Sequence, residues 1–173
     1  MIFFNNDCNF CNRCCPKFIV GPRGLIGPRG PQGQPSNLAG LQVQLVGSSM
    51  ASIANAENVI FDNLVTVTNS NIIYDDATGV FIVGVAGTYY ISWWANIDGA
   101  EEGTSLLFSI VTSEGQVISA CSMVPVTSLQ LNGNALVNFA APGSFSLKNF
   151  SGNTANYGEA VVQASLVIIE VAN

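Results

Sequence analysis

Histidine is absent and charge is scarce: the 173-residue chain has five Lys and Arg, eleven Asp and Glu, and 9 % charged residues in all. Without imidazole there is no Ser-His-Asp or Cys-His site, and no His ligand for a metal. No Gly-x-x-x-x-Gly-Lys phosphate loop occurs. No apolar run reaches the roughly 20 residues that a membrane-spanning helix needs. The N-terminus, Met1-Ile2-Phe3-Phe4-Asn5-Asn6-Asp7, has neither the basic leader nor the apolar core of a secretory signal. These absences point away from an enzyme, a cofactor and a membrane partner. The expectation is a protein kept inside the cell, released by lysis, or exported by some other route.

The few charges are unevenly placed. Arg13, Lys17, Arg23 and Arg29 stand against Asp7 alone before residue 36, a balance of +3; Lys148 stands against ten acids after it, a balance of −9. Nucleic acid is an unsuitable partner for the acidic part, because phosphate neutralisation needs Lys and Arg. A basic tail and an acidic head can attract each other between molecules. The plainer reading is a solvated acidic surface. With 49 % apolar residues and so little charge, the composition suits a surface that ends up inside an assembly.

Three segments follow one another. Residues 1–20 form a tip with Cys8, Cys11, Cys14 and Cys15. Residues 21–35 read as triplets in which Gly21, Gly24, Gly27, Gly30 and Gly33 recur without a miss. Three polyproline-like strands wind together only where a residue without a side chain faces the axis at every third step. Pro22, Pro28 and Pro31 occupy the position after Gly, where a fixed φ suits that conformation. A flexible Gly/Pro linker is the alternative, and five unbroken triplets argue against it. The stalk would be short, roughly 45 Å at about 3.1 Å per residue, and would need a clamp at each end.

Residues 36–173 read as a succession of strands. Leu41-Gln42-Val43-Gln44-Leu45 alternates as a half-buried strand does. Further runs are Ile72–Tyr74, Val80–Val83, Thr88–Trp94, Leu106–Thr112, Val117–Met123, Ala135–Phe139, Phe145–Lys148 and Ala164–Val171, with Gly, Asn, Ser or Pro between them. This spacing predicts an all-β sandwich or barrel.

The motif Tyr74-Asp75, Gly79-Val80-Phe81, Val85-Ala86-Gly87-Thr88-Tyr89-Tyr90-Ile91-Ser92 resembles the signature of the complement subcomponent q globular head. Asn138–Phe145 and Ala164–Ile169 sit where that family has its closing strands. The resemblance covers roughly residues 38–173. It implies the jelly roll shared with the tumour necrosis factor family, assembled as a homotrimer, with Phe81, Tyr89 and Tyr90 near the three-fold axis. Burial in the monomer core is the alternative for each. A bacterial branch joins such a head to a collagen-like stalk: the glycoproteins of the Bacillus-type exosporium and related endospore appendage subunits. The chain resembles that branch, with a much shorter stalk that lacks Thr for sugars and with a Cys-rich tip. The implied place is the spore surface, with spore-coat or exosporium proteins as anchors.

The Cys8-x-x-Cys11-x-x-Cys14-Cys15 spacing admits zinc or an iron–sulfur cluster, a redox sensor, or structural disulfides. Neither a second Cys pair at finger spacing nor a His is present. Disulfides are therefore the expectation, between chains of a trimer or between trimers. Ile2, Phe3, Phe4 and Phe10 are candidate docking residues, because an apolar terminus has no local cover. Docking onto a neighbouring trimer is a heterologous contact, which builds filaments where it does not close. A disordered tail is the alternative. Cys121 reads as a buried inert thiol or, more sharply, as a cross-link to the next subunit's tip. Asp75, Asp76, Glu101 and Glu102 are weak calcium candidates in loops. Two functions remain: a self-assembling fibre subunit, or a ligand-binding module anchored at a fibre tip.

Overall fold

A computed structural model divides the chain into two units, Met1–Pro35 and Ser36–Asn173. It describes residues 23–24, 27, 29–30, 39–47, 51–68, 71–100, 105–122, 128–140 and 142–172. In the first unit Arg23, Gly24, Gly27, Arg29 and Gly30 are exposed and belong to no helix or strand. A Cβ added at Gly24, Gly27 or Gly30 would meet nothing within 4 Å.

The second unit is built from twelve described strands in two antiparallel sheets, a jelly roll. They are β1 (Gly40–Val46), β2 (Ser52–Ile53), β3 (Asn63–Val67), β4 (Ile72–Asp75), β5 (Val80–Val83) and β6 (Gly87–Ala100). Then come β7 (Leu107–Thr112), β8 (Val117–Cys121), β9 (Leu129–Phe139), β10 (Gly143–Asn149), β11 (Ala155–Tyr157) and β12 (Val162–Ala172). One sheet runs β2-β11-β6-β12-β1-β3, with β9 on the free edge of β6. The other runs β4-β5-β10-β7-β8. The first and last strands are neighbours, with Gly40 opposite Ile169 and Leu45 opposite Ala164.

The period of two in the sequence becomes the layering of the sandwich. Leu41, Val43 and Leu45 of β1 point inward with Tyr89, Ile91, Trp93, Ala95 and Ile97 of β6. Phe81 and Phe145 face each other across the β5–β10 ladder and stack at 4.7 Å, with Tyr74 and Phe61 closing the cluster. Burying each such side chain contributes about 1.5–3 kcal/mol. The Phe61 N–H donates to the Tyr74 hydroxyl at 2.7 Å, fastening the covering segment before β3 onto the core. At the β4–β5 turn Gly79 adopts φ 71°, and a Cβ there would lie 2.7 Å from the Val59 carbonyl oxygen. Only glycine meets both conditions without strain.

Several boundaries differ from the sequence expectation, as where the run expected over Thr88–Trp94 continues to Ala100. The run expected over Val117–Met123 ends as a strand at Cys121. The run expected over Ala135–Phe139 begins six residues earlier, at Leu129, because Gly133 does not break it. Its bare backbone is covered by the Trp93 ring. Among the described residues no helix is long and apolar enough to cross a membrane.

Candidate association surface

The sheet containing β6 and β12 buries one face and leaves the other open. Alternation places Thr88, Tyr90, Ser92, Trp94 and Asn96 of β6 on the open face. Asn132, Asn134, Leu136 and Asn138 of β9, with Val167, Ile169 and Val171 of β12, extend it. Gln42 and Gln44 of β1 complete it toward β3. None of these residues is charged, and the first acid along β6 is Asp98. In a unit whose balance is −9, an uncharged face is a place where a second acidic copy meets no repulsion.

Apolar side chains gather in one row of this face. Leu136 pairs with Tyr90, Tyr90 with Ile169, and Ile169 with Gly40. Leu136 is 65 % exposed and Tyr90 39 %. Beyond Ile169 the surface dips into an open groove of about 200 Å³, lined by Gly40, Gln42, Thr66, Thr68 and Val167 among others. The glycine forms its floor: a Cβ at 40 would sit 2.9 Å from the Ile168 carbonyl oxygen. Thr68 fixes the rim, its backbone N–H donating to the Gly40 carbonyl at 2.9 Å and its hydroxyl accepting from the Gly40 N–H at 2.7 Å. The groove and Leu136 were missed by the sequence reading; the outward parity of Leu136 in β9 was the available signal.

The residues expected near a three-fold axis separate. Phe81 and Tyr89 are completely enclosed by the single chain, so they have no surface left for a neighbour. Phe81 belongs to the aromatic cluster, and the Tyr89 hydroxyl donates to the Val85 carbonyl at 2.9 Å. Tyr90, one residue on, has the opposite parity and lies on the open face.

Cys121 corrects the expectation of a buried thiol: it is exposed and free. It ends β8, the edge strand beyond β7, where alternation turns Val117, Ser119 and Cys121 toward solvent. Asp75 is the last residue of β4, at the mouth of the turn to β5. Its carboxylate accepts from the Thr78 hydroxyl at 2.6 Å and the Ala77 N–H at 3.1 Å, which hold its pKa below the usual range. Asp76 is exposed beside it. No group of three or more His, Cys, Asp or Glu gathers as a metal site among the described residues. Cys8, Cys11, Cys14, Cys15, Ile2, Phe3, Phe4, Phe10, Gly21, Gly33, Glu101 and Glu102 lie outside the described residues.

A sequence model of the C1q domain matches residues 44–158. Among solved structures, the globular domain of zebrafish complement 1qA protein is similar with a TM-score of 0.57 and 19 % identity, covering 76 % of this chain and 93 % of that one. Murine APRIL is similar with a TM-score of 0.58 and 9 % identity, covering 78 % and 99 %. The Eiger TNF of S. frugiperda gives 0.56 and 10 %, covering 80 % and 95 %. At these identities the likeness shows the fold alone. No curated protein matches the chain. Domains of this kind are structural or ligand-binding modules, and the chain is not an enzyme. It belongs to the C1q domain family.

Proposed function

We propose that the protein is a structural subunit of a spore-surface fibre or appendage, trimeric and joined head to tail through its N-terminal tip. Three copies wind residues 21–35 into a short triple helix and pack their heads through the uncharged sheet face. The tip, with Ile2, Phe3, Phe4 and Phe10, docks onto a neighbouring trimer. Disulfides from Cys8, Cys11, Cys14 and Cys15 then lock the joint, and spore-coat or exosporium proteins anchor the fibre.

The observation that carries this reading is the union, in one chain, of an unbroken Gly-X-Y run with a C1q head whose exposed sheet face bears no charge. The triplets call for three chains. The exposed Cys121 offers an accessible partner for a tip cysteine.

The test is negative-stain electron microscopy of the purified chain after air oxidation, with and without reductant. Long fibres are expected, and they are lost when Cys8, Cys11, Cys14 and Cys15 are all changed to Ser. Isolated three-headed particles under every condition overturn the fibre and leave an anchored binding module.

A further inference from the structure

On one face of one sheet, the chain carries a projection at one edge and a depression at the other. Leu136 projects from β9, the free edge of the sheet. The groove floored by Gly40 lies over β1, between β12 and β3, toward the opposite edge. Both belong to the row Leu136, Tyr90, Ile169, Gly40, Thr68. From this juxtaposition, and resting on the trimeric reading above, we infer that Leu136 of one copy seats in the Gly40 groove of the next copy around a three-fold axis.

The chemistry fits a branched aliphatic side chain. Ile169 and Val167 wall the groove on one side, and Thr66 and Thr68 line the other. A space of about 200 Å³ admits one such side chain with room for part of a neighbour. Leu136 cannot fill its own groove. Three strand spacings separate it from Gly40, about 14 Å, and four separate it from Thr66, about 19 Å. Leu136 can therefore enter such a groove only on another molecule, and three features favour a second copy of this chain. The flanking face has no charge to oppose a like surface. The projection and the depression lie in one row, so they meet in register when two such faces abut edge to edge. The contact joins unlike patches, and a heterologous contact closes into a ring when its rotation divides the circle. A three-fold ring is the closure that three-chain triplets at 21–35 require. Tyr90 and Ile169, which lie between the projection and the depression, then face the axis.

The test uses the full-length chain carrying Leu136→Cys and Thr66→Cys together. Sedimentation velocity gives the stoichiometry, and peptide mapping by mass spectrometry after mild oxidation finds the disulfides. A bond between positions 66 and 136 is out of reach within a chain, because bridged Cα atoms lie within about 7 Å of each other. Any linked peptide therefore reports contact between copies. The expected result is a trimer in which the 66–136 peptide is the main new cross-link. A trimer without that peptide overturns the pairing and leaves the trimer standing. A wild-type chain that sediments as a monomer overturns both. As an independent check, Thr66→Trp fills the groove from an exposed position, and should weaken trimer association at least about tenfold with an unchanged circular dichroism spectrum. An unaltered association constant with that variant counts against the groove.

Discussion

The indole of Trp93 lies over the bare backbone of Gly133, its partner across the β6–β9 ladder. A Cβ at 133 would sit 2.7 Å from Cζ2 of the ring and 3.0 Å from the Ala120 Cβ on the facing sheet. The ring thus fills the space that a side chain at 133 would take, and it carries the core from β6 across to Phe108 at 6.1 Å.

Gly133→Ala should therefore destabilise the head by about 1–3 kcal/mol, the range for overpacking a tight core. Differential scanning calorimetry should show a melting point lower by several degrees. Trp93→Phe removes the ring atoms that clash, so the double variant should lose less than the sum of the two single ones. Strict additivity would show that the contact is not what requires the glycine.

Asn149 is wholly buried at the end of β10 and has its side chain fully used. Its Nδ2 donates to the carbonyls of Ile53 at 3.0 Å and Asn153 at 2.9 Å, and its Oδ1 accepts from the Ser151 N–H at 2.9 Å. Asn149→Leu strands two carbonyls and one amide, each costing about 1–3 kcal/mol where burial persists. Urea unfolding should show a loss of at least about 3 kcal/mol. Asn149→Asp should be worst at neutral pH, where a carboxylate faces two carbonyl oxygens, and should partly recover on acidification.

The head should lose stability in alkali through its tyrosines. Burial pushes the Tyr74 hydroxyl up to about 12, with Asp76, Asp75 and Asp62 adding to the shift and the Phe61 N–H opposing it. Burial also raises Tyr157 and Tyr89. A raised folded-state pKa means that the unfolded chain releases its protons first as pH climbs. Their contribution is complete below about pH 10, the usual tyrosine value, and is lost as pH rises from there toward about 12. Thermal melts from pH 8 to 12, followed with tyrosinate absorbance, should show a fall that begins at about pH 10 and continues to the top of the range. Tyr74→Phe should flatten its lower part.

Cys121 should be labelled by a maleimide in the folded protein without denaturant, because its side chain is exposed at a sheet edge. Peptide mapping of a variant with Cys8, Cys11, Cys14 and Cys15 changed to Ser isolates the signal. Labelling only in denaturant would return the residue to the core. In the wild-type chain, protection in oxidised fibres but not in reduced trimers would identify it as a fibre cross-link.

Much of this architecture was legible in the sequence, and the failures share one physical origin. Strong alternation in β1 and the long apolar run of β6 announce strands because one face of each is buried. β3 was missed because Asn63–Val67 is exposed throughout and so has no period of two to display. β2 and β11, of two and three residues, are too short to show a period. Alternation also leaves parity open. Tyr89-Tyr90 and Trp93-Trp94 are adjacent aromatics that cannot both face inward, and the sequence does not say which does. Cys121 failed in the same way: Val, Ser and Cys share one face of β8, Ile and Ala the other, and only the packing of Ala120 against Gly133 decides between them. The groove at Gly40 depends on a side chain that is not there, next to a strand that was not seen.

The adjacency of β1 and β12 has a mechanical consequence. β1 lies between β12 and β3, so tension entering the head along its first strand is borne by two hydrogen-bonded ladders at once. Pulled along its length, a strand held this way must break its cross-strand bonds together rather than one after another. A head built in this manner passes load from its first strand into both neighbouring strands at once.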